Sequence, residues 1–508
     1  MTTTMKQMIL GSAAALLAAS TAQAADLPVK AKAVEYVKIC SIYGAGFYYI
    51  PGTDTCIKIG GAIRLDTTFN GGPYDAPFWQ GGAGGNNLWT KDNFLTRERI
   101  NITTDTRTAS EYGVVRTYAN MQLDFTQNRD SIAGGFTEVD FAFIQFAGFT
   151  FGKAVSNFDP QWALTKPWIS SGFLAGSSNT TGIPQIAYTA EFGNGFSGTI
   201  ALENASPYRN AGLYNTANFI VAPGAGSFTG AFYGTNSNTF FGNATGGNHI
   251  PDVVGNLRLD QKWGSLHFAA AMHTSTAGFY GANESFGHPD DVYGFAVSGA
   301  VEFKVLPTGA NDSLKIEASY AKGAARYAFT GGSLETSGGG RFAKFDGNTV
   351  GFGYVLDGVY SPGSSIQQSD AWEVSAFYEH YWNTAWRTSV FGNYSHISYG
   401  DAGNAVLAAA FSPAGGRLGT SSSSNPGSTA GSITGTTNNF DFGIAQVGTR
   451  TAWTPVKNLT LSAEFTYSRL DQNLDGTYTG TATGKPNQAY QIKDQNLYNG
   501  SVQILRSF

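Results

Sequence analysis

The feature of this chain that most constrains its fold is a two-residue alternation of apolar and polar side chains, repeated in short segments to the last residue. In 456–469 one parity is apolar and the other is polar: Leu459, Leu461, Ala463, Phe465 and Tyr467 alternate with Thr460, Ser462, Glu464, Thr466 and Ser468. A period of two places the two sets on opposite faces of a β-strand. The pattern therefore predicts an all-β protein in which each strand faces two different environments.

The alternation recurs in sixteen segments, which we predict to be strands: 57–69, 93–104, 111–125, 137–147, 149–153, 182–191, 196–205, 251–262, 265–274, 291–305, 313–323, 371–382, 386–398, 440–453, 457–469 and 496–508. The connections between them alternate strictly between long and short, and each short one has seven residues or fewer. Segment 349–357 could also be a strand, but counting it would break this alternation, so we assign it to the sixth long loop.

A soluble β-sandwich would alternate in the same way, so the fold class depends on further features. One rim of short turns, one rim of long loops and an even strand number are typical of outer-membrane barrels, whose closure gives every backbone N–H and C=O a partner. Trp263, Trp382, Trp386 and Trp453 lie beside predicted short turns, as expected for aromatic rings at a membrane interface. We predict a transmembrane antiparallel β-barrel of about sixteen strands, wide enough for an aqueous lumen.

Composition supports this class. Glycine makes up 65 of 508 residues, aromatic residues are 14% and charged residues are only 13%, against about 25% in a typical soluble domain. The formal net charge is −5 and no basic tract is present, which argues against a nucleic-acid partner. The long loops are rich in Gly, Asn, Ser and Thr and lack apolar runs, so we expect no second core and a single domain.

The N-terminus has the features of an export signal. Lys6 precedes an apolar run, 8–19, and the small-residue pattern at 22–24 is typical of a cleavage site. The alternative is a membrane-anchoring helix, but the run is shorter than the roughly 20 residues that a span requires. We therefore expect a signal peptide over 1–24 and a single barrel domain over 25–508.

Two cysteines, Cys40 and Cys56, favour a structural disulfide in an exported protein, with two free thiols as the alternative. Their spacing fits neither a metal site nor a redox motif. The six histidines are scattered, and the chain has no H-E-x-x-H or G-x-S-x-G motif. We therefore expect no metal, no cofactor and no enzyme activity, although outer-membrane hydrolases are barrels too.

Three stretches resemble a known family, the Rhizobiales-type general diffusion porins of alphaproteobacteria. They are ICSIYGAGFYYIPG at 39–52 with TCIKIGG at 55–61, IQFAGFTFGK at 144–153, and WTPVKNL at 453–459. The resemblance implies a homotrimer of sixteen-stranded barrels in outer-membrane lipid, each narrowed by an inward third long loop, and passive diffusion of small hydrophilic solutes and ions.

The C-terminus resembles the barrel-assembly signal of outer-membrane proteins, with Val502, Ile504 and the terminal Phe508 on one face. Arg506 departs from this apolar series.

Strand parity indicates which charged residues would line the pore. Five cations on three neighbouring strands have the lumen parity: Lys58, Arg64, Arg97, Arg99 and Arg116. Charges around a narrow passage set which ions gain energy on entry, whereas a charge on the lipid face near mid-membrane costs roughly 2–4 kcal/mol. We expect a basic wall, with rim solvation or local pairing of these cations as the alternative. Glu98 has the outward parity and calls for a rim position or a subunit contact.

Opposite this wall the family's third loop should present carboxylates, yet 154–181 offers only Asp159, with Lys166 beside Trp162 and Trp168. We therefore expect a constriction with a transverse field but weak cation preference, or a slight anion preference. The two tryptophans either pack the loop against the wall or form part of an aromatic track in a substrate-specific channel.

Overall fold

The computed structural model describes residues 38–71, 92–126, 135–169, 181–205, 208–216, 245–281, 284–329, 340–411, 432–480 and 485–508. The expected signal peptide, 1–24, lies outside the described residues. The chain divides into two compact units, Met1–Cys56 and Ile57–Phe508.

The main sheet has seventeen described strands, of which the two-residue strand Tyr48–Tyr49 lies before the barrel. The other sixteen form the barrel: β1 Cys56–Phe69, β2 Phe94–Ser110, β3 Gly113–Thr126, β4 Phe136–Phe146, β5 Phe149–Ala154, β6 Ile183–Gly193, β7 Phe196–Glu203, β8 Asp252–Gln261, β9 Gly264–Ser275, β10 Val292–Phe303, β11 Ser313–Lys322, β12 Asp370–Tyr381, β13 Trp386–Ser398, β14 Phe442–Val456, β15 Leu459–Gln472 and β16 Gln495–Ser507. Each pairs with its sequence neighbours, and β16 pairs antiparallel with β1, so the sheet closes into a barrel. All sixteen predicted strands are confirmed, with boundaries within three residues except at the end of β2.

The last residue takes part in closing the barrel. The N–H of Phe508 donates to the carbonyl of Gly61 at 3.0 Å, and the N–H of Gly61 donates to the carbonyl of Phe508 at 3.1 Å. Val502, Ile504 and Phe508 are exposed on the outer face. Arg506 donates to the carbonyl of Lys457 in a short turn, so its guanidinium is satisfied at the rim.

Burial alternates along the strands, but, unlike in a soluble protein, the apolar side chains are the exposed ones. The outward side chains are apolar and exposed, with Ile200 at 62% and Phe268 at 55%, whereas the inward ones are buried. The tryptophans at the short turns are also exposed, and Trp386 stacks on Trp453 with ring centroids 5.6 Å apart. An apolar surface of this extent requires a covering partner, and lipid supplies it for a closed barrel. The sandwich alternative is therefore wrong.

No helix among the described residues is both long enough and apolar enough to cross a bilayer.

The short turns are tight hairpins. The turn between β6 and β7 shows why particular residues are required in such a turn. Asn194 and Gly195 both have positive φ, 53° and 76°, as a two-residue hairpin turn requires. A Cβ on Gly195 would lie 2.0 Å from the carbonyl oxygen of Asp260, so the adjacent strand also excludes a side chain.

The long loops fold into a structure of their own, which we call the loop cap. A five-stranded sheet joins Gly340–Asp346, Thr349–Val355, Gln488–Ile492, Thr477–Gly480 and Ser432–Thr434, a three-stranded sheet joins Leu213–Asn215, Gly358–Tyr360 and Gln367–Gln368, and a helix, α1, covers Gly400–Phe411. Segment 349–357 thus contains a strand, but outside the barrel, as its assignment to the sixth long loop requires.

The expectation that these loops lack a second core was wrong. Tyr354, Val355, Val359, Tyr399 and Tyr490 are buried in one apolar cluster, which continues onto inward side chains of the barrel strands such as Ala269 and Ala296. Part of this cluster comes from the apolar segment 350–356, which we assigned to the sixth long loop because a further barrel strand would break the alternation of long and short connections, and the rest comes from distant segments.

The N-terminal unit is held by the disulfide between Cys40 and Cys56, which confirms the pairing favoured from the sequence. Both cysteines are buried with Phe47, and Tyr43 and Tyr49 pack against them.

Candidate pore lining

The third long loop follows the inner face of the barrel, and an aromatic cluster seats it there. The Trp162 ring centroid lies 5.8 Å from that of Phe377, and the Trp168 centroid lies 4.8 Å from Phe377 and 5.7 Å from Phe391. Both phenylalanines have the inward parity and are buried. Of the two alternatives for these tryptophans, the structure shows packing of the loop against the wall.

Polar contacts extend this seat across half of the lumen, from β8 to β1. The loop is held by Gln161 Nε2 to Asp260 at 2.9 Å, Lys315 Nζ to the Thr165 carbonyl at 3.0 Å, Ser389 Oγ to the Pro167 carbonyl at 2.7 Å, Arg64 Nη2 to the Ile169 carbonyl at 3.2 Å, and the Ile169 N–H to Glu464. Every wall residue here projects inward. The loop is therefore folded into the lumen, as the resemblance implied.

The wall of β1–β4 faces this loop and holds the sequence-nominated cations. Lys58 is exposed at the start of β1. Arg64 donates to Asp66 at 2.8 Å, and Arg97 donates to the same carboxylate at 2.6 Å. Arg97 and Asp66 are almost fully buried, 3% and 1% exposed.

The next two arginines along the wall are also ion-paired. Arg99 forms a two-point contact with Asp124, at 2.7 and 2.9 Å. Arg116 shares the carboxylate of Asp105 with Arg107 and donates to Gln145 at 3.0 Å. About a third of the Arg116 side chain is exposed, so this guanidinium contributes to the lumen surface.

Strand parity put Asp66 and Asp124 in the lumen beside the arginines of this wall, but Asp105, Glu138 and Asp140 were not predicted from the sequence. In the described strands β1–β4, five inward arginines (Arg64, Arg97, Arg99, Arg107 and Arg116) are matched by five inward carboxylates (Asp66, Asp105, Asp124, Glu138 and Asp140). Strand parity alone could have found Glu138. The wall is a ladder of ion pairs rather than a uniformly basic surface.

The opposite wall, on the far side of the third loop, is charged as well. Its inward carboxylates are Glu302, Glu317, Glu373, Glu379 and Glu464. Glu379 pairs with Arg387 at 2.9 Å and with Arg450 at 3.2 Å. Carboxylates expected on the loop thus lie on the strands behind it. On the loop itself, burial lowers the pKa of Lys166, partly offset by Glu317.

Two charged residues that the sequence analysis singled out do not lie at the lumen surface. One is buried in an ion pair, and the other is on the outer face of the barrel. Asp159 pairs with Arg209 at 2.7 Å, and both side chains are buried. Glu98 is exposed on the outer face of β2, where its neighbour on β3 is Phe125. Among the described residues, no group of three or more His, Cys, Asp or Glu side chains is arranged to hold a metal ion.

A closed sixteen-stranded antiparallel barrel with an apolar outer surface and an inward loop defines a membrane channel fold. The chain belongs to the porin subfamily, whose family model matches residues 26–501. This membership and the barrel fold place the protein in the bacterial outer membrane.

Individual relatives agree with this family. Porin Omp2b of Brucella suis biovar 1 is 32% identical over 270 residues, which cover 51% of this chain and 64% of the relative. Porin Omp2b of Brucella melitensis biotype 1 is 32% identical over 273 residues, with the same coverage. The chain thus matches less than two thirds of the length of these relatives. The outer membrane channel DcaP of Acinetobacter baumannii shares the fold, with a TM-score of 0.57 at 14% identity over 91% of this chain and 99% of that one.

Proposed function

We propose that this protein is a passive diffusion pore for small hydrophilic solutes and ions. The observation that carries this proposal is the arrangement of the lumen, in which a polar wall on β1–β4 faces a loop anchored on the opposite wall. Charged side chains on this wall keep partial exposure although they lie inside a barrel, as expected where water fills the space between the wall and the loop.

Within this pore we assign the lining to Lys58, Arg64, Arg99 and Arg116. Arg97 and Asp159 were nominated with them, and their burial in ion pairs supports a different role. Arg97 holds the Asp66 carboxylate that also orients Arg64, and Asp159 fixes the base of the third loop through Arg209.

The test is single-channel conductance of the purified full chain in a planar bilayer, measured with a series of neutral polyols of increasing size. Small polyols enter a water-filled pore and lower its conductance, whereas those above the size limit leave it unchanged. Absence of conductance would contradict the proposal and favour a structural barrel or an adhesin.

Ion selectivity should be weak, because each arginine of the wall lies beside a carboxylate. A balanced ladder gives neither sign of ion a large energy advantage on entry. The reversal potential in a salt gradient measures this directly. A strongly cation-selective or strongly anion-selective channel would contradict the assignment.

We also propose that the protein is a homotrimer and that the outer face of β2–β4 is its subunit contact. On this face the outward residues are small or polar over several neighbouring positions, because Thr104 lies opposite Ala119 and Thr106 lies opposite Thr117. A groove of about 500 Å³ lies beside them, lined also by Ala119 and Ala142. A grooved, partly polar surface is more complementary to a neighbouring subunit than to lipid acyl chains.

The trimer is tested by the mass of the protein in detergent, measured by light scattering with correction for bound detergent. Substituting Thr117→Trp should fill the groove and shift the population towards monomers. The matched control is Val374→Trp on the exposed outer face of β12, which should leave the trimer intact.

A substrate-specific channel is a second candidate, supported by one group of side chains. Tyr118 and Phe143 project inward and stack with centroids 5.3 Å apart, and the Arg116 guanidinium lies 5.3 Å and 5.5 Å from the two rings. Such a surface can stack a planar solute and attract an anionic group. Saturable block of the ion current by an aromatic carboxylate would favour this candidate, and its loss in Tyr118→Ala would locate the site.

A further inference from the structure

A continuous series of buried ionisable side chains links the loop cap and the third long loop to the barrel wall. We call it the buried charge chain, and its members in order are Asp357, His273, Asp252, Tyr327, Arg209 and Asp159. None of them is more than 5% exposed. They come from the loop after β11, from β9 and β8, from the loop after β7 and from the third long loop.

At the outer end of the chain, Asp357 gathers several segments at one carboxylate. Its oxygens accept the N–H groups of Ala325 at 2.7 Å, Ala211 at 2.7 Å and Gly212 at 3.1 Å. Its Oδ2 lies 3.8 Å from His273 Nε2. One side chain of the loop cap thus holds two loops and faces the barrel wall.

The rest of the chain leads to the third loop. His273 Nδ1 lies 2.9 Å from both oxygens of Asp252, and the Tyr327 hydroxyl donates to Asp252 at 2.6 Å. The Arg209 guanidinium lies 4.7 Å from the Tyr327 ring centroid and donates to Asp159 at 2.7 Å. The contacts form an unbroken path from the loop cap to the loop that narrows the lumen.

Other ionisable groups face this chain mainly at its inner end, where Lys166 and His267 lie near Asp159. Glu203 lies beside Arg209 and is held by Ser156 and by the N–H of Asn157. On the side of the loop cap, Tyr399 lies near Asp357. Lys166, His267 and Glu203 thus surround the Asp159–Arg209 end of the chain, whereas Asp357 at the other end faces His273 and Tyr399.

Burial raises the pKa of Asp357 from 3.8 to about 6, against the opposing effects of His273 and the three N–H donors. The closed state therefore binds more protons than an opened state in which this carboxyl is solvated. A state that binds more protons becomes less stable as the pH rises. The closed state is therefore stabilised relative to the opened state as the pH falls from above 6 towards 4, and it loses this stabilisation as the pH rises through the same range.

We propose that the buried charge chain is a proton-sensitive clasp, which fixes the loop cap and the base of the third long loop to the barrel wall and tightens as the surrounding medium becomes acidic. The loop that narrows the lumen then responds to conditions sensed at the outer end of the barrel. Asp357 and His273 act as positioning residues, since neither lies at the lumen surface.

The test is hydrogen exchange of the full chain in lipid nanodiscs at pH 5.5 and 7.5, with intrinsic exchange rates corrected for pH. Segments 349–360 and 155–169 report on the loop cap and the third loop. For the wild type we expect opening of both segments to be about fourfold less frequent at pH 5.5 than at pH 7.5, which is the effect of one carboxyl whose pKa rises from 3.8 to about 6 on closure. Asp357→Asn should remove this pH dependence in both segments, because it lacks the carboxyl that takes up the proton. His273→Gln keeps that carboxyl and removes a charge that opposes its protonation, so it should retain or enlarge the pH dependence.

The matched control is His249→Gln, which alters an exposed His–Asp pair, His249 and Asp291 at 3.3 Å, and should keep the wild-type pH dependence. Equal protection of the wild type at both pH values would overturn the proposal, and this result needs no variant to fold. A pH dependence that persists in Asp357→Asn would also overturn it. A response confined to 349–360 would overturn the coupling to the third loop.

Discussion

The guanidinium of Arg64 joins the two sides of the pore. Its Nη2 donates to the carbonyl of Ile169 on the third long loop at 3.2 Å, and its Nε donates to Asp66 on the wall at 2.8 Å. Strand parity placed Arg64 in the lumen, but its bond to the loop depends on where the loop folds. This residue is therefore both a lining charge and a tether.

Replacing Arg64→Ala should raise single-channel conductance and current noise, because the end of the loop loses its contact with the wall. Arg64→Lys keeps the charge but cannot make both contacts at once, and should give intermediate noise. Lys58→Ala removes an exposed charge without touching the loop and should change only the reversal potential. Quiet, wild-type conductance in Arg64→Ala would show that the loop needs no tether there.

Replacing Asp66→Ala should destabilise the barrel strongly. Asp66 is buried and accepts hydrogen bonds from Arg64, Arg97 and Gln503, and removing one partner of a buried ion pair costs about 3–5 kcal/mol. Urea unfolding from lipid vesicles measures the loss. The control is Asp471→Ala, whose pair with Arg469 is exposed and should be worth less than about 1 kcal/mol. Equal losses in the two variants would contradict this account of the wall.

Replacing Trp162→Ala should release the third loop from its aromatic seat. Trp162 is buried against Phe377, and truncating a buried aromatic side chain costs about 3–5 kcal/mol. We expect the size limit for neutral polyols to rise, as measured by liposome swelling. Trp382→Ala, at an exposed rim position, should leave the limit unchanged. An unaltered limit in Trp162→Ala would mean that other contacts alone position the loop.

Replacing Gly195→Ala should slow folding and lower stability more than Gly193→Ala. Both residues have positive φ, 76° and 90°, so each substitution carries a backbone cost of roughly 1 kcal/mol. Only at Gly195 would the added Cβ also collide with the carbonyl of Asp260, whereas nothing lies within 4 Å at Gly193. Refolding yield into detergent micelles compares them, and similar yields would argue against the clash.

The barrel could be predicted from sequence because each strand carries its own local signal. The signal fails where both faces are polar, at the end of β2. There Thr104, Thr106 and Thr108 take the outward positions, so the strand was predicted to end at 104 although it continues to Ser110. Asp105 and Arg107, which complete the ion pairs around Arg116, were missed for the same reason.

The loop cap could not be predicted because its contacts join residues that are distant in sequence. Phe345 packs on Tyr490 with ring centroids 5.0 Å apart, and neither residue lies in an apolar run. Its strands are also short, and Thr349 and Val350 pair in parallel with a segment near the C-terminus. The partner of Asp159 was missed likewise, since Arg209 lies in a different loop.

Water between the third long loop and β1–β4 is tested most directly by thiol modification of single channels. Thr103→Cys places a thiol on the lumen side of β2 and Val374→Cys places one on the outer face of β12, while the native cysteines are oxidised. A charged methanethiosulfonate reagent should step down the current of Thr103→Cys and leave that of Val374→Cys unchanged. An unaltered current in Thr103→Cys, with modification confirmed by mass, would contradict a pore along this wall.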